Sequence, residues 1–154
     1  MKKRMLWILA VLLVIVVAFT GCGEGVKIRF NTEAGFYGND LSAHPTFTEL
    51  VRTTEELQYT LDEYGLIDES QKYGEEYFAD KALVLCLFVE SSISVTHRID
   101  SVVASNEKLV INFTRFVPQI CADAIKECSF LIEVKKVDVA DISDVQTVRK
   151  ERTK

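Results

Sequence analysis

Two histidines and four cysteines are the side chains of this 154-residue chain best suited to nucleophilic, acid–base or metal chemistry. Their spacing fits no zinc site, and no serine lies in a G-x-S-x-G turn of the kind that carries a hydrolase nucleophile. The sequence also lacks a glycine-rich phosphate loop and an H-E-x-x-H pair. We therefore expect no catalytic residue, no metal site and no enzymatic activity.

One alternative stays open at His97, which lies in an alternating apolar stretch. With nearby carboxylates this histidine could serve a hydrolase or a small-ligand site, because a positioned imidazole can transfer protons near neutral pH. A deep pocket joining His97 to two carboxylates would favour that alternative. A side chain packed in the core, or exposed on a flat sheet, would argue against it. The other histidine, His44, lies in an early loop.

The first 21 residues have the pattern of an export segment. Lys2-Lys3-Arg4 is a positively charged start, and an unbroken apolar run follows from Met5 to Phe19. This run is shorter than the roughly 20 residues that a membrane-spanning helix needs, which favours a signal peptide. Phe19-Thr20-Gly21-Cys22 then resembles the lipobox of bacterial lipoproteins, with an apolar residue, two small residues and a cysteine.

This resemblance implies that Cys22 is lipidated and that cleavage falls between Gly21 and Cys22. The thiol would receive a diacylglyceryl group, and an N-acyl chain such as palmitate could follow. Each buried methylene contributes about 0.8 kcal/mol, so two or three chains would hold the protein permanently on the membrane. We predict an anchor on the extracytoplasmic face of the cell membrane, with no cofactor beyond these covalent chains. An ordinary secretory signal or a signal anchor with an incidental cysteine is the alternative.

The other three cysteines cannot all pair within one chain, because their number is odd. Cys86 lies in the apolar stretch Ala82–Val89 and is predicted to be a small core residue. Cys121 and Cys128 flank a short segment, and outside the cytoplasm a disulfide between them could persist. Two free thiols are the alternative.

The charge of the chain excludes one class of partner. Removing the three basic residues of the export segment from the 18 in the chain leaves 15 against 23 acidic residues, a formal charge of −8. An acidic domain is repelled by a polyphosphate chain, so we expect no nucleic-acid partner. The basic residues after position 148 are typical of a frayed, solvated end.

Hydrophobic periodicity predicts one main helix, at about 54–64. Thr53 and Glu56 have the spacing of a capping box, in which the hydroxyl accepts from an orphan amide and the carboxylate reaches back. Apolar residues then recur at helical spacing until Gly65, a typical stop.

Alternating and continuous apolar runs predict the strands. Ala82–Val89 is apolar throughout, which is typical of a central strand covered on both faces. Asn106-Glu107 separates two alternating stretches and predicts a hairpin, which Pro118 ends. The predicted strands are 26–30, 47–51, 82–89, 93–100, 109–115, 130–137 and an optional edge strand at 145–148, with a loop over 31–45 and a connecting segment over 119–128.

About six strands and one main helix predict an α+β fold built on a mostly antiparallel β-sheet. The predicted organisation is a signal peptide over 1–21, a lipidated cysteine and short tether over 22–25, a single globular domain over 26–148, and a frayed basic tail over 149–154.

Several stretches together resemble a known family, and they are Val51–Leu57, Tyr77–Leu85, Ser94–Val102, Asn106–Ile111, Val117-Pro118 and Phe130–Val134. The family is that of bacterial lipoproteins related to the PrcB C-terminal-like domain, named for an accessory subunit of a surface protease complex. Relatives usually have glycines where Ser91, Ser92 and Ile93 stand, and acidic residues or a tryptophan near Cys121 and Cys128. The resemblance implies a surface-anchored accessory or binding domain.

The functional hypothesis is therefore a non-catalytic, membrane-anchored domain that acts through contacts with a protein partner. Loops carried on rigid strands commonly hold binding sites. The predicted contact surface is the rim formed by Ser91, Ser92 and Ile93 with the 119–128 segment, and His97 lies at the start of the next strand. A role in envelope structure or stress sensing is a further alternative.

Overall fold

The computed structural model describes residues 25–34, 37–38, 46–67 and 72–153. Gly21, Cys22 and His44 lie outside the described residues, so the lipid anchor and its cleavage site stay predictions. Within the described part of the chain, no helix is both long and apolar enough to cross a membrane.

The described residues form ten strands and one α-helix, broadly the predicted mostly antiparallel α+β fold. The helix, α1, spans Thr54–Tyr64, and two 3-10 turns span Tyr77–Ala79 and Lys136–Val139. The strands are β1 Val26–Ile28, β2 Phe30–Ala34, β3 Tyr37–Gly38, β4 Thr46–Val51, β5 Leu66–Ile67, β6 Lys81–Ser92, β7 Thr96–Ser105, β8 Lys108–Val117, β9 Asp123–Lys135 and β10 Asp144–Thr153.

The expected single sheet of about six strands is wrong. Two four-stranded sheets form, in the orders β1-β7-β8-β10 and β2-β9-β6-β4, beside the short pair β3-β5. The predicted strand at 26–30 is divided between the two large sheets, because Ile28 pairs with Val102 whereas Phe30 pairs with Val134. Alternation has the same period in both halves, so the sequence carried no sign that Arg29 takes the chain from one sheet to the other.

Strand β6 is the centre of the fold, as its apolar run predicted. Its even-numbered side chains, among them Cys86 and Phe88, enter the core between the two large sheets. Its odd-numbered side chains, such as Leu85, pack with Leu57 and Leu61 of α1 in a second core. The domain is therefore three layers deep, with both faces of β6 excluded from water. Cys86 is 1% exposed and is a core residue, as expected.

Helix α1 begins and ends where the sequence indicated. The Glu56 amide donates to Thr53 Oγ1 at 3.1 Å, and Glu56 Oε2 accepts from the Arg52 amide at 2.6 Å. The carboxylate thus reaches one residue further back than in the usual capping box. At the other end, Gly65 adopts φ 61° and donates to the Leu61 carbonyl. That left-handed conformation is one that glycine adopts at little cost.

Two predicted non-strand segments and one predicted strand are wrong at their boundaries. The first part of the expected 31–45 loop belongs to β2, and the expected connection over 119–128 is strand from Asp123 onward. The strand predicted from Ile93 begins only at Thr96. Each element is longer or shorter than predicted because pairing partners from distant parts of the chain, which local patterns do not reveal, set where the ladder stops.

The expected frayed tail is also wrong. Residues 149–153 continue β10, which pairs in parallel with β8 from Asp144 opposite Lys108 to Thr153 opposite Val117. The Arg149 guanidinium lies 4.1 Å from the centre of the Phe88 ring, an arrangement in which cation and aromatic face attract. The predicted edge strand at 145–148 is confirmed and extended by this pairing.

The topology gives the domain two opposite ends. The tether pole holds Gly25, the turn at 106–107, the 136–143 segment and the start of β6, whereas the far pole holds the β6–β7 turn at 92–95 and the β8–β9 connection at 118–122. Strands of ten residues such as β7 separate the poles by about 30 Å, at roughly 3.3 Å per residue.

Candidate functional site

His97 is enclosed between the two large sheets near the far pole. Its Nε2 atom lies 2.8 Å from Glu90 Oε1, and the side chains of His97 and Glu90 are only 1% and 5% exposed. The imidazole packs edge-on against Phe88, with 4.8 Å between ring centres, and faces Phe130 at 6.2 Å. The ring N–H is not aligned for a full hydrogen bond with Glu90. This is the packed core position that argues against a substrate-binding histidine.

Arg115 completes this cluster. Its Nε donates to Glu90 Oε1 at 3.0 Å and its Nη2 donates to Glu90 Oε2 at 2.7 Å, a two-pronged contact. The remaining nitrogen, Nη1, reaches Glu151 Oε2 at 2.7 Å. A planar guanidinium that donates to both oxygens of a carboxylate combines charge attraction with directed hydrogen bonds. The cluster ties β6, β7, β8 and β10 together at one end of the sandwich.

Electrostatics in the cluster fix the charge of each member. The hydrogen bonds from Arg115 hold the pKa of Glu90 below its ordinary value. Burial lowers the pKa of His97, and Glu90 opposes that effect only in part, while Arg149 and Arg115 add to it. At neutral pH the arrangement is a carboxylate clamped by a guanidinium, with an uncharged imidazole beside it. It is suited to joining sheets rather than to proton transfer with a bound molecule.

Sequence reasoning did not find Glu90, Arg115 or Glu151. Their positions are separated by 25 and 36 residues along the chain, and each sits in an ordinary alternating pattern. No local spacing signals such a cluster. The three side chains come together only because β8 pairs with β10 in one sheet and that sheet packs against β6 of the other.

The predicted rim segments do meet in space at the far pole. Ser92 is 4% exposed, its carbonyl accepts from the Val95 amide at 3.2 Å, and its hydroxyl accepts from the Ser94 amide at 3.2 Å. Ser94 Oγ then accepts from the Ala122 amide at 3.2 Å, which joins the β6–β7 turn to the β8–β9 connection. The far-pole rim is defined here as residues 91–95 and 118–127.

Two residues named for the rim do not belong to its surface. The His97 side chain is buried below the rim, and Ser92 faces inward as a turn-forming residue. Ser91 and Ile93 are exposed. Alternation places successive strand residues on opposite faces, so β6 turns Ser92 inward while its neighbours face water.

Three isoleucines give the far-pole rim an apolar character. Ile93 is 52% exposed, Ile120 is 89% exposed and Ile125 is 76% exposed. They come from the β6–β7 turn, the β8–β9 connection and the first residues of β9. Single exposed apolar side chains are ordinary, whereas a contiguous exposed apolar patch is typical of an interaction surface. The sequence indicated Ile93 and the segment that holds the other two, but not which residues are exposed.

Of the two alternatives for Cys121 and Cys128, a bridge or two free thiols, the structure has two free thiols. Cys121 is exposed beside the Pro118 carbonyl, 3.4 Å from its Sγ, whereas Cys128 is buried in the core between the sheets. The strand that begins at Asp123 turns Cys128 inward, away from the surface thiol. Burial raises the pKa of Cys128, and it raises the pKa of Cys86 to about 12.

Metal-binding groups are not formed by the residues that the structure describes, since no three His, Cys, Asp or Glu side chains converge there. Comparison with protein-family models, with curated proteins and with solved structures gave no match. The resemblance to the PrcB C-terminal-like family therefore stays a prediction drawn from the quoted residues.

Proposed function

We propose that this protein is a bacterial lipoprotein, anchored through acyl chains on Cys22 to the extracytoplasmic face of the cell membrane. Its domain would be a non-catalytic accessory module that docks a protein partner at the far-pole rim. The observation that carries the proposal is the position of the three exposed isoleucines, which occupy the end opposite Gly25, where the chain from Cys22 enters the domain.

The geometry of the rim supports a docking role. Loops on rigid strands hold a surface in place before binding, so less ordering is needed when a partner arrives. The Ala122–Ser94 hydrogen bond and the Glu90–Arg115 cluster below it supply that rigidity. Apolar side chains at the centre of an interface provide most of the favourable burial, so the partner we expect carries an apolar patch.

The alternative of a hydrolase or a small-ligand site at His97 has no specific observation in its favour. The imidazole is 1% exposed, and its carboxylate neighbour Glu90 is held by Arg115. A general acid or base must come within hydrogen-bond reach of the reacting group.

The anchor is tested by metabolic labelling with a fatty-acid analogue in a bacterial host. Wild type should incorporate the label and fractionate with membranes, and Cys22→Ala should incorporate none. An unlabelled wild-type protein that begins at Met1, or that is released into the medium, would contradict the anchor.

The docking surface is tested by photo-crosslinking at matched positions. A photoreactive residue at Ile125, which is 76% exposed at the far pole, should capture a discrete partner on intact cells. The same residue at Val137, which is 77% exposed at the tether pole, should not. The triple change of Ile93, Ile120 and Ile125 to serine should abolish capture from a probe at Ser91, whereas Val137→Ser should leave it unchanged. Equal capture from positions 125 and 137 would contradict a specific rim.

A further inference from the structure

An open cavity of about 700 Å³ lies at the tether pole, at the far side of the domain from the rim. Its walls come from the start of β2, the start of β6 and the end of β9, so three strands of one sheet meet around it. Its basic lining residues are Arg29, Lys81, Lys135 and Lys136, and its acidic ones are Asp80 and Glu133. The cavity is thus locally cationic, although the chain as a whole carries a formal charge of −5.

The acidic member Glu133 is already engaged by donors in the cavity wall. Its carboxylate accepts from Lys81 Nζ at 3.2 Å, from the Tyr77 hydroxyl at 3.1 Å and from the side-chain nitrogen Nδ2 of Asn31 at 3.2 Å. The remaining acid, Asp80, is exposed, and its carbonyl accepts from the Lys136 amide. Glu133 and Lys81 therefore neutralise each other, and the positive charge that is left belongs to other residues.

Arg29 and Lys135 supply that charge. Both side chains are exposed, and neither forms an ion pair with any residue that the structure describes. Lys136 differs, because its Nζ donates to the Phe78 carbonyl at 2.9 Å. Two uncommitted cations at the mouth of a concave site are suited to the oxygens of a phosphoryl group, which Arg and Lys recognise by charge-assisted hydrogen bonds.

The position of Gly25 on the domain limits how far this cavity can lie from a bilayer that holds Cys22. A Cβ at Gly25 would lie 2.4 Å from Val103 Cγ1 and 3.1 Å from Ser105 Cβ, so the backbone at residue 25 runs tightly along β7. Three residue steps separate Cys22 from Gly25, and they span at most about 11 Å. If Cys22 is acylated, the tether pole must therefore lie next to the lipid headgroups.

We propose that this cavity binds the phosphoryl headgroup of an anionic phospholipid in the bilayer that holds the anchor. The proposal rests on the anchor of the proposed function for its geometry, but not on the far-pole rim. An acidic domain near an anionic membrane is repelled unless basic groups face the lipid. Arg29 and Lys135 are placed to meet that need and to fix which side of the domain faces the membrane.

The acids at the tether pole support one orientation. Glu107 lies at the corner of the other sheet, where its carbonyl accepts from the Ser143 and Asp144 amides. Asp144 pairs there with Lys108, whose Nζ is 3.8 Å from Asp144 Oδ2, so Glu107 gives these three residues one net negative charge. That corner would be repelled by anionic lipid, whereas the corner with Arg29 and Lys135 would be attracted. The domain should therefore tilt with the β2–β9–β6 edge toward the bilayer and the far-pole rim toward the exterior.

The test uses full-length Cys22→Ala in lipid nanodiscs, where the uncleaved apolar segment keeps the domain at the bilayer without acylation. Amide chemical shifts of Asn31, Lys81 and Lys135 are compared in discs of phosphatidylcholine alone and in discs containing phosphatidylglycerol. A third sample adds inorganic phosphate to phosphatidylcholine discs. Because this variant cannot be acylated, the nanodisc experiment tests headgroup binding by the cavity alone. The labelling experiment tests acylation of Cys22 separately.

Phosphatidylglycerol should shift the cavity amides, and phosphatidylcholine should not. In Arg29→Gln/Lys135→Gln, the phosphatidylglycerol fraction that gives half of the full chemical-shift change should rise about tenfold or more. Each juxtamembrane cation strengthens binding to an anionic membrane by about fivefold. Arg29→Lys/Lys135→Arg should restore binding. Lys126→Gln, which removes one charge at the far pole, should have no effect.

Three results would overturn the proposal. One is identical cavity shifts in the two kinds of disc. Another is an unchanged response in the double glutamine variant, whose fold the dispersion of its amide spectrum verifies. The third is full reproduction of the shifts by inorganic phosphate in phosphatidylcholine discs, which would make the cavity a site for a free anion instead of a lipid.

Discussion

Arg115 on β8 holds Glu90 on β6 through two guanidinium nitrogens, Nε at 3.0 Å and Nη2 at 2.7 Å, and so connects the two large sheets at the far pole. The pair is shielded on the Glu90 side, where the carboxylate is 5% exposed, and it is open on the Arg115 side, where the guanidinium is 23% exposed. Removing one member of such a pair leaves the other without its partner.

Glu90→Gln should therefore destabilise the domain by about 2–4 kcal/mol in urea unfolding, because Arg115 and His97 lose their shared carboxylate. The matched control is Glu151→Gln, which removes the exposed partner of Arg115. Glu151 is 64% exposed, so we expect a loss of no more than about 1 kcal/mol. Equal effects of the two changes would show that the buried contact does not hold the sheets.

Stability should fall as the pH drops from neutral. Burial lowers the pKa of His97 in the folded state below its ordinary value of 6.5, so the unfolded chain binds a proton first. This loss begins near the ordinary histidine value and proceeds downward, with a slope of at most about 1.4 kcal/mol per pH unit for one proton. The lowered pKa of Glu90 adds a second loss in the same direction, below its ordinary value of 4.5.

His97→Gln separates the two contributions. Urea unfolding at pH 7.5 and pH 5.5 should show a smaller difference for this variant than for wild type, because the titrating imidazole is gone. The loss below about pH 4.5 should persist, because it comes from carboxyl groups whose pKa values are lowered in the folded state, Glu90 and Glu133 among them. A pH dependence between 7.5 and 5.5 that is unchanged in His97→Gln would contradict the assignment.

Gly25→Ala should destabilise the attachment of β1 to β7 by about 1–3 kcal/mol, because the added methyl would lie 2.4 Å from Val103 Cγ1. The measurement is hydrogen exchange at the amides of β7, together with the urea midpoint. Gly74→Ala is the control, since among the described residues no atom beyond its chain neighbours lies within 4 Å of a Cβ at that position. We expect its free energy of unfolding to stay within about 0.5 kcal/mol of the wild-type value. Similar protection of the β7 amides in both variants would argue against the close approach at Gly25.

The three described cysteines should differ sharply in reactivity. Cys121 is exposed, whereas Cys86 and Cys128 are buried and the burial raises the pKa of both thiols. Since the thiolate is the reactive form, alkylation of the folded protein under non-reducing conditions should modify Cys121 alone among these three. Intact mass after unfolding in alkylating agent should then show all three labelled. A pair protected even in the unfolded state would indicate the disulfide that the structure does not contain.

Local patterns determined much of the secondary structure. The capping box at Thr53, the glycine stop at Gly65 and the apolar run of β6 each act over a few residues, so periodicity and turn chemistry were sufficient to place them. The turn at Asn106, which adopts φ 53°, was found for the same reason. Burial of Cys86 followed from its neighbours along the strand.

The arrangement of the strands depended on the tertiary structure. Whether 26–30 is one strand or two, and whether the last residues are a tail or the end of β10, depends on partners more than thirty residues away. The charge cluster of Glu90 and Arg115 and the cationic cavity at Arg29 and Lys135 arise in the same way, because each joins residues from separate strands. The sequence by itself determined the main helix, the apolar central strand and the turn at 106–107, since those features are set by neighbours in the chain. Only folding decided which charged and apolar side chains lie at each pole, since strand order and register are set by packing across the whole domain.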